Sequence, residues 1–157
     1  MEITGTVTTG LGKAAYFLGQ DFYKNQFMEK CGFTPFPGTL NIIVDEGKLE
    51  DIQLMKNSCN NVIQPDEGFG AVKYIKAYLN EDIAGAIVFP AKTTHEEHYL
   101  EFIAKDKLRD KYGFEDGDEV KLTIDLLVDC HIFKIIVSML IILIFKIHYY
   151  SILFHLF

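Results

Sequence analysis

Thr39 and Asn41 follow the rigid run Pro35-Phe36-Pro37-Gly38, and in an extended chain residues two apart point to the same side. A hydroxyl and an amide oxygen therefore stand together at the start of a β-branched segment, Thr39–Val44. Neutral oxygens paired in this way suit Mg2+, which keeps most of its water and takes substrate phosphates as further ligands. A turn followed by two surface polar groups is the plainer description of the same residues. Upstream, Gly10-Leu11-Gly12-Lys13-Ala14-Ala15 satisfies the dinucleotide pattern G-x-G-x-x-A. That pattern also needs a second parallel strand ending in an acid about twenty residues on. Here the corresponding stretch holds Glu29 in a helical run and then Pro35 and Pro37, so the Rossmann reading fails. A simple turn and a phosphate-cradling loop of another fold remain. In the second, the two glycines let backbone N–H groups approach phosphate oxygens, and Lys13 adds charge.

Two other groups could carry chemistry. His95-Glu96-Glu97-His98 resembles a metal motif, but its histidines are three apart rather than four, and they follow Pro90 in a loop-like stretch. Zinc is not expected there. Glu101 interrupts the apolar run Tyr99-Leu100-Glu101-Phe102-Ile103 and shares a face with Tyr99 and Ile103. Its carboxylate is either solvated on an outer face or held in a pocket to accept a hydrogen bond from a hydroxyl.

The elements that must position these residues are short. Strands are expected at Glu2–Thr8, Thr39–Val44, Ala71–Leu79, Gly85–Phe89, His98–Ile103 and Glu119–Ile124. Tyr23, Phe27 and Cys31 recur at helical spacing over Asp21–Cys31, with Asp21 as a cap and Gly32 as the stop. A second short helix is expected over Asp106–Tyr112, ending at Gly113, and Asp116-Gly117-Asp118 marks a tight turn. Residues 45–70 are polar and predict loop. Six short strands, two short helices and no β-α-β alternation point to a small mixed barrel, mainly β, rather than a doubly wound parallel sheet.

Composition narrows the function classes. The chain has 157 residues and a formal net charge of -7, with acids spread over the first 125 residues. No basic stripe exists, so no nucleic-acid partner is expected. Three cysteines, Cys31, Cys59 and Cys130, share no C-x-x-C spacing and fit a reducing cytoplasm. The start, Met-Glu-Ile-Thr, carries no secretory pattern.

The ordered set of motifs resembles the CTP-dependent riboflavin kinases of archaea. It comprises Gly10-Leu11-Gly12-Lys13-Ala14-Ala15-Tyr16-Phe17, Gly32-Phe33 with Pro35, and Gly38-Thr39-Leu40-Asn41. Gly85-Ala86-Ile87-Val88 with Pro90 follows, then Lys92-Thr93 with His95, Glu101-Phe102-Ile103-Ala104, Lys107-Leu108-Arg109 and Asp116-Gly117-Asp118. The resemblance implies a six-stranded cradle-loop barrel over residues 1–125. It further implies an enzyme that moves the γ-phosphate of CTP to the ribityl 5'-hydroxyl of riboflavin, giving FMN and CDP. On this resemblance Gly10, Leu11, Gly12, Lys13, Ala14, Ala15 and Tyr16 hold the nucleotide phosphates. Asp106, Lys107, Leu108 and Arg109 contact CTP again, and Thr39 and Asn41 take Mg2+. Thr93 and Glu101 meet the flavin, with Glu101 as the catalytic group. Many relatives carry a third glycine where Ala14 stands. A cytoplasmic monomer is the expected state. The rival classes are a non-catalytic flavin-binding barrel and a swapped-hairpin DNA-binding barrel, and the acidic charge opposes the second.

The resemblance stops near Asp125. Beyond it, residues 126–157 form an apolar tail outside the barrel, charged only at Asp129, Lys134 and Lys146. Ile135–Phe145 and Ile147–Phe157 are each too short to cross a bilayer, which takes roughly 20 apolar residues, but joined across Lys146 they allow insertion. A membrane partner is expected only if the tail is genuine. A partner-binding helix and read-through translation of AT-rich DNA are the alternatives.

Overall fold

The computed structural model describes residues 1–66, 68–91 and 96–124, and residues 1–125 form one compact unit. The order is β1 (Glu2–Thr8), α1 (Ala14–Leu18), α2 (Asp21–Cys31), β2 (Leu40–Val44), α3 (Leu49–Ser58), β3 (Val62–Ile63), β4 (Val72–Leu79), β5 (Ile83–Pro90), β6 (Tyr99–Ala104), α4 (Leu108–Tyr112) and β7 (Glu119–Ile124). All pairings among the described residues are antiparallel. The sheet runs β3-β4-β5-β6-β2-β1-β7, and β7 pairs back onto β4. Six strands therefore close into a barrel, as expected, and the two-residue β3 extends β4 outside the ring.

Alternation divides each strand between two cores. Val7, Ile42 and Leu100 are cross-strand partners and all buried, with Ile3, Leu40, Val44, Phe102, Ile87, Leu79 and Leu122 on the same inward series. The opposite face of β4, β5 and β6 carries Tyr74, Ala86, Val88 and Ile103, which would be wet on a bare barrel. They are covered by Leu18 of α1 and by Tyr23 and Phe27 of α2. Burying each of these large side chains contributes roughly 1.5–3 kcal/mol, so α1 and α2 are pinned to the outside of the sheet.

Several boundaries and one region differ from expectation. Residues 45–70 are not mainly loop: Asp45 accepts a hydrogen bond from Gly47 N at 2.7 Å and opens a 3-10 turn, and α3 follows. Only Ile52 and Met55 of α3 are buried within a polar sequence, which hides the helical period. α1 was not expected either, because five residues carry too little periodicity to register. Gln20 rather than Asp21 occupies the cap of α2, with Asp21 in the first turn, and Gly32 ends the helix in the left-handed conformation. α4 starts two residues later than expected, after Lys107. Expectations for residues 125–157 and for Thr93 and His95 lie outside the described residues.

Candidate active site

One row of cross-strand neighbours organises the site. Thr8 on β1 pairs with Asn41 on β2, Asn41 pairs with Glu101 on β6, and Glu101 pairs with Val88 on β5. Directly opposed residues present their side chains on one face, with Cβ atoms about 4.5–5.5 Å apart. The row lies on the outer side of the barrel, next to the patch covered by α1 and α2. Glu101 is thus on an outer face, yet it lines a cavity there.

Cavities border this row, and two of them reach Thr39. The first, of about 380 Å³, is lined by Thr8, Thr9, Gly10, Gly12, Ala14 and Ala15 on one side. Asp106, Lys107, Leu108 and Arg109 form the other side, and Thr39 and Asn41 its floor. The second, of about 270 Å³, is largely apolar, with Phe17, Leu18, Tyr23, Val72, Val88 and Pro90 in its wall and Glu101 at its edge. Thr39 and Ala14 line both, so the cavities meet there.

The Thr39 hydroxyl donates to Asn41 Oδ1 at 3.4 Å, and Asn41 is only 7% exposed, the one buried polar residue among those described. The glycine loop crosses directly above it: a Cβ on Gly10 would lie 2.0 Å from Asn41 Nδ2. Gly10 is a glycine because the amide leaves no room for a side chain. Two neutral oxygens at the floor of a cavity fit a cation that draws its remaining ligands from water and a phosphorylated substrate. No cluster of three His, Cys, Asp or Glu that could hold a metal occurs among the described residues.

The walls of the first cavity are tied together by Asp116. Its Oδ2 accepts from Thr9 N at 3.1 Å and from Thr9 Oγ1 at 2.6 Å, and its Oδ1 accepts from Arg109 Nη2 at 2.5 Å. Arg109 also donates to the carbonyls of Thr8 at 2.9 Å and Phe114 at 3.4 Å. Hydrogen bonds from Thr9, then from Arg109, hold the Asp116 carboxyl below its usual value. A lowered carboxyl keeps its bonds at neutral pH and loses them only as pH falls through that lowered value. Asp106 pairs with Lys111 at 2.6 Å and Lys107 with Asp110 at 2.8 Å.

The residues expected to act together are largely brought together. Gly10, Gly12, Ala14, Ala15 and Asp106 to Arg109 line the first cavity with Thr39 and Asn41. Lys13 instead lines the second, while Leu11 and Tyr16 are 66% and 65% exposed and line neither. Of the His95-to-His98 stretch, His98 Nε2 sits 3.5 Å from Glu96. The sequence reading missed the apolar wall. Phe69 packs against Phe17, Phe22 and Tyr23, and the Tyr23 hydroxyl donates to Gly70 O at 2.6 Å, holding the 68–72 segment over α2. Burial raises the Tyr23 hydroxyl above its usual value, so it stays a donor. Its one legible signal was the aromatic density of Tyr16, Phe17, Phe22 and Tyr23 after the glycine loop.

Fold and site define a closed antiparallel barrel with two outer cavities that share Thr39 and Ala14. A family model labelled CTP-dep_RFKase and described as a domain of unknown function, DUF120, matches residues 7–124. A protein named riboflavin kinase from Methanobrevibacter smithii is 71% identical over 122 residues, 78% of this chain and 98% of that protein. One of the same name from Methanothermobacter thermautotrophicus is 48% identical over 117 residues, 74% of this chain and 93% of its own. A third, from Saccharolobus solfataricus, is 39% identical over 129 residues, 79% of this chain and 74% of its own. The chain belongs to the archaeal CTP-dependent riboflavin kinase family.

Proposed function

We propose that the protein phosphorylates riboflavin, transferring the γ-phosphate of CTP to the ribityl 5'-hydroxyl and releasing FMN and CDP. The observation that carries this reading is the meeting of the two cavities at Thr39, beside the row Thr8-Asn41-Glu101-Val88. A nucleotide and a flavin seated one in each cavity place donor and acceptor against each other there. The name carried by the three relatives supports a riboflavin substrate, and the family label supports CTP as donor.

Phosphoryl transfer asks the protein mainly for positioning and charge neutralisation. Gly10 and Gly12 open the backbone of the first loop to phosphate oxygens, while Lys107 and Arg109 place positive charge on the facing wall. Thr39 and Asn41 hold Mg2+, which when bound neutralises phosphate oxygens. The apolar wall of Phe17, Leu18, Tyr23, Val72 and Val88 seats the isoalloxazine ring and excludes water from it. Glu101, cross-strand partner of Asn41, orients the 5'-hydroxyl and accepts its hydrogen bond. Thr93 is assigned to the flavin on the resemblance alone. Incubation with riboflavin, Mg2+ and each nucleoside triphosphate in turn tests the reading. FMN forms with CTP and far less with ATP; a clear preference for ATP sinks the donor assignment, and no FMN with any triphosphate sinks the kinase reading.

A further inference from the structure

We infer that Asp116 is a positioning residue for the nucleotide, holding the two walls of the polar cavity at a fixed spacing. The inference rests on the assignment of that cavity to CTP. Asp116 does not line the cavity, but its two carboxylate oxygens are divided between the walls. Oδ2 takes both donors of Thr9, the residue that leads into the glycine loop, and Oδ1 takes the guanidinium of Arg109 on α4. The two partners are a hundred residues apart in the chain. The loop from Thr9 to Lys13 lies outside every strand and helix, and α4 is five residues long.

The tie also orients Arg109. Three N–H···O bonds, to Thr8 O, Phe114 O and Asp116, fix the guanidinium plane, and they use three of its five donors. The two others stay available for phosphate oxygens, which a freely rotating arginine would meet only at an entropic cost. Asp116 is itself anchored from behind. Gly117 N donates to Val7 O at 2.9 Å and Val7 N donates to Asp118 O at 2.8 Å, so the turn is laced to β1 one residue before Thr8. The carboxylate is thereby carried by the barrel wall and reaches outward to both sides of the cavity.

The test uses the full chain with Asp116→Ala, Asp116→Asn and Thr9→Val, scored by KM for CTP, KM for riboflavin and melting temperature. Asp116→Ala raises the KM for CTP by at least about tenfold, the change expected from losing hydrogen bonds to a charged group, while the KM for riboflavin stays within about twofold. Thr9→Val, isosteric and retaining the Thr9 N–H bond, gives a smaller rise of the same kind, and Asp116→Asn falls between. Combining Thr9→Val with Asp116→Ala adds nothing beyond Asp116→Ala, because both remove the same bond. If Asp116→Ala does not fold, Thr9→Val carries the test alone. An unchanged KM for CTP in these variants overturns the inference, as does a parallel rise in both KM values. Wild-type protein that makes no FMN from CTP overturns the assignment on which it rests, a different outcome.

Discussion

The polar and apolar cavities adjoin at Thr39 but are built in different ways. The polar one is lined by strand residues of β1, β2 and β6 together with the 9–13 loop, the Phe36–Gly38 bend and the first turn of α4, and hydrogen bonds tie the loop to α4. The apolar one is walled by the outer face of β4–β6 and by α1 and α2, and side-chain burial holds it. Hydrogen-bonded walls fix the positions of donors and acceptors, which phosphate geometry demands. Packed apolar walls give shape and exclude water, and a flat ring needs little more. The difference predicts that damage on one side leaves binding on the other nearly intact.

The largest effect falls at Glu101, the cross-strand partner of Asn41. Glu101→Gln keeps the size of the side chain and removes its basicity, and turnover drops by about 10²–10⁴-fold with both KM values within a few fold. Rates within twofold of wild type would make Glu101 a binding group only. Next comes Gly10→Ala. Its methyl would meet Asn41 Nδ2 at 2.0 Å, so either the loop or the buried amide must move, at a cost of about 1–3 kcal/mol. We expect a roughly tenfold lower rate and a higher Mg2+ concentration for half-maximal activity, with riboflavin binding unchanged. A rate lowered without any change in the Mg2+ response would remove Asn41 from the metal site. The smallest effect is on the apolar side: Tyr23→Phe leaves Gly70 O without its donor and costs about 1 kcal/mol. The KM for riboflavin rises a few fold and that for CTP does not; a change in CTP alone would reverse the assignment of the cavities.

The same contrast explains what was legible in the sequence. The glycine loop and the Thr39, Asn41 pair could be picked out by residue type and spacing, whereas Asp106 to Arg109 entered only through the family resemblance. Strands with β-branched and alternating residues, such as Leu40–Val44 and Glu119–Ile124, were equally readable. Register was not. Nothing in the local sequence says that Asn41 faces Glu101 rather than Tyr99, because pairing is decided by closure of the whole barrel. The apolar wall was invisible for a related reason: Phe17, Tyr23, Phe69, Val72 and Val88 come from four separate segments and look like ordinary core residues. Asp116 read as a turn former, and only the fold brings its carboxylate to Thr9 and Arg109. α3 was missed because its two buried side chains, Ile52 and Met55, sit in an otherwise polar stretch.

The central claim is that nucleotide and flavin occupy separate cavities that meet at Thr39, and backbone amide chemical shifts recorded with each ligand alone test it most directly. CDP with Mg2+ is predicted to move Gly10, Gly12, Asn41 and Asp106 to Arg109. Riboflavin is predicted to move Phe17, Tyr23, Val72 and Val88, with Thr39 and Ala14 responding to both. Two ligands that perturb one and the same set of residues would contradict the account.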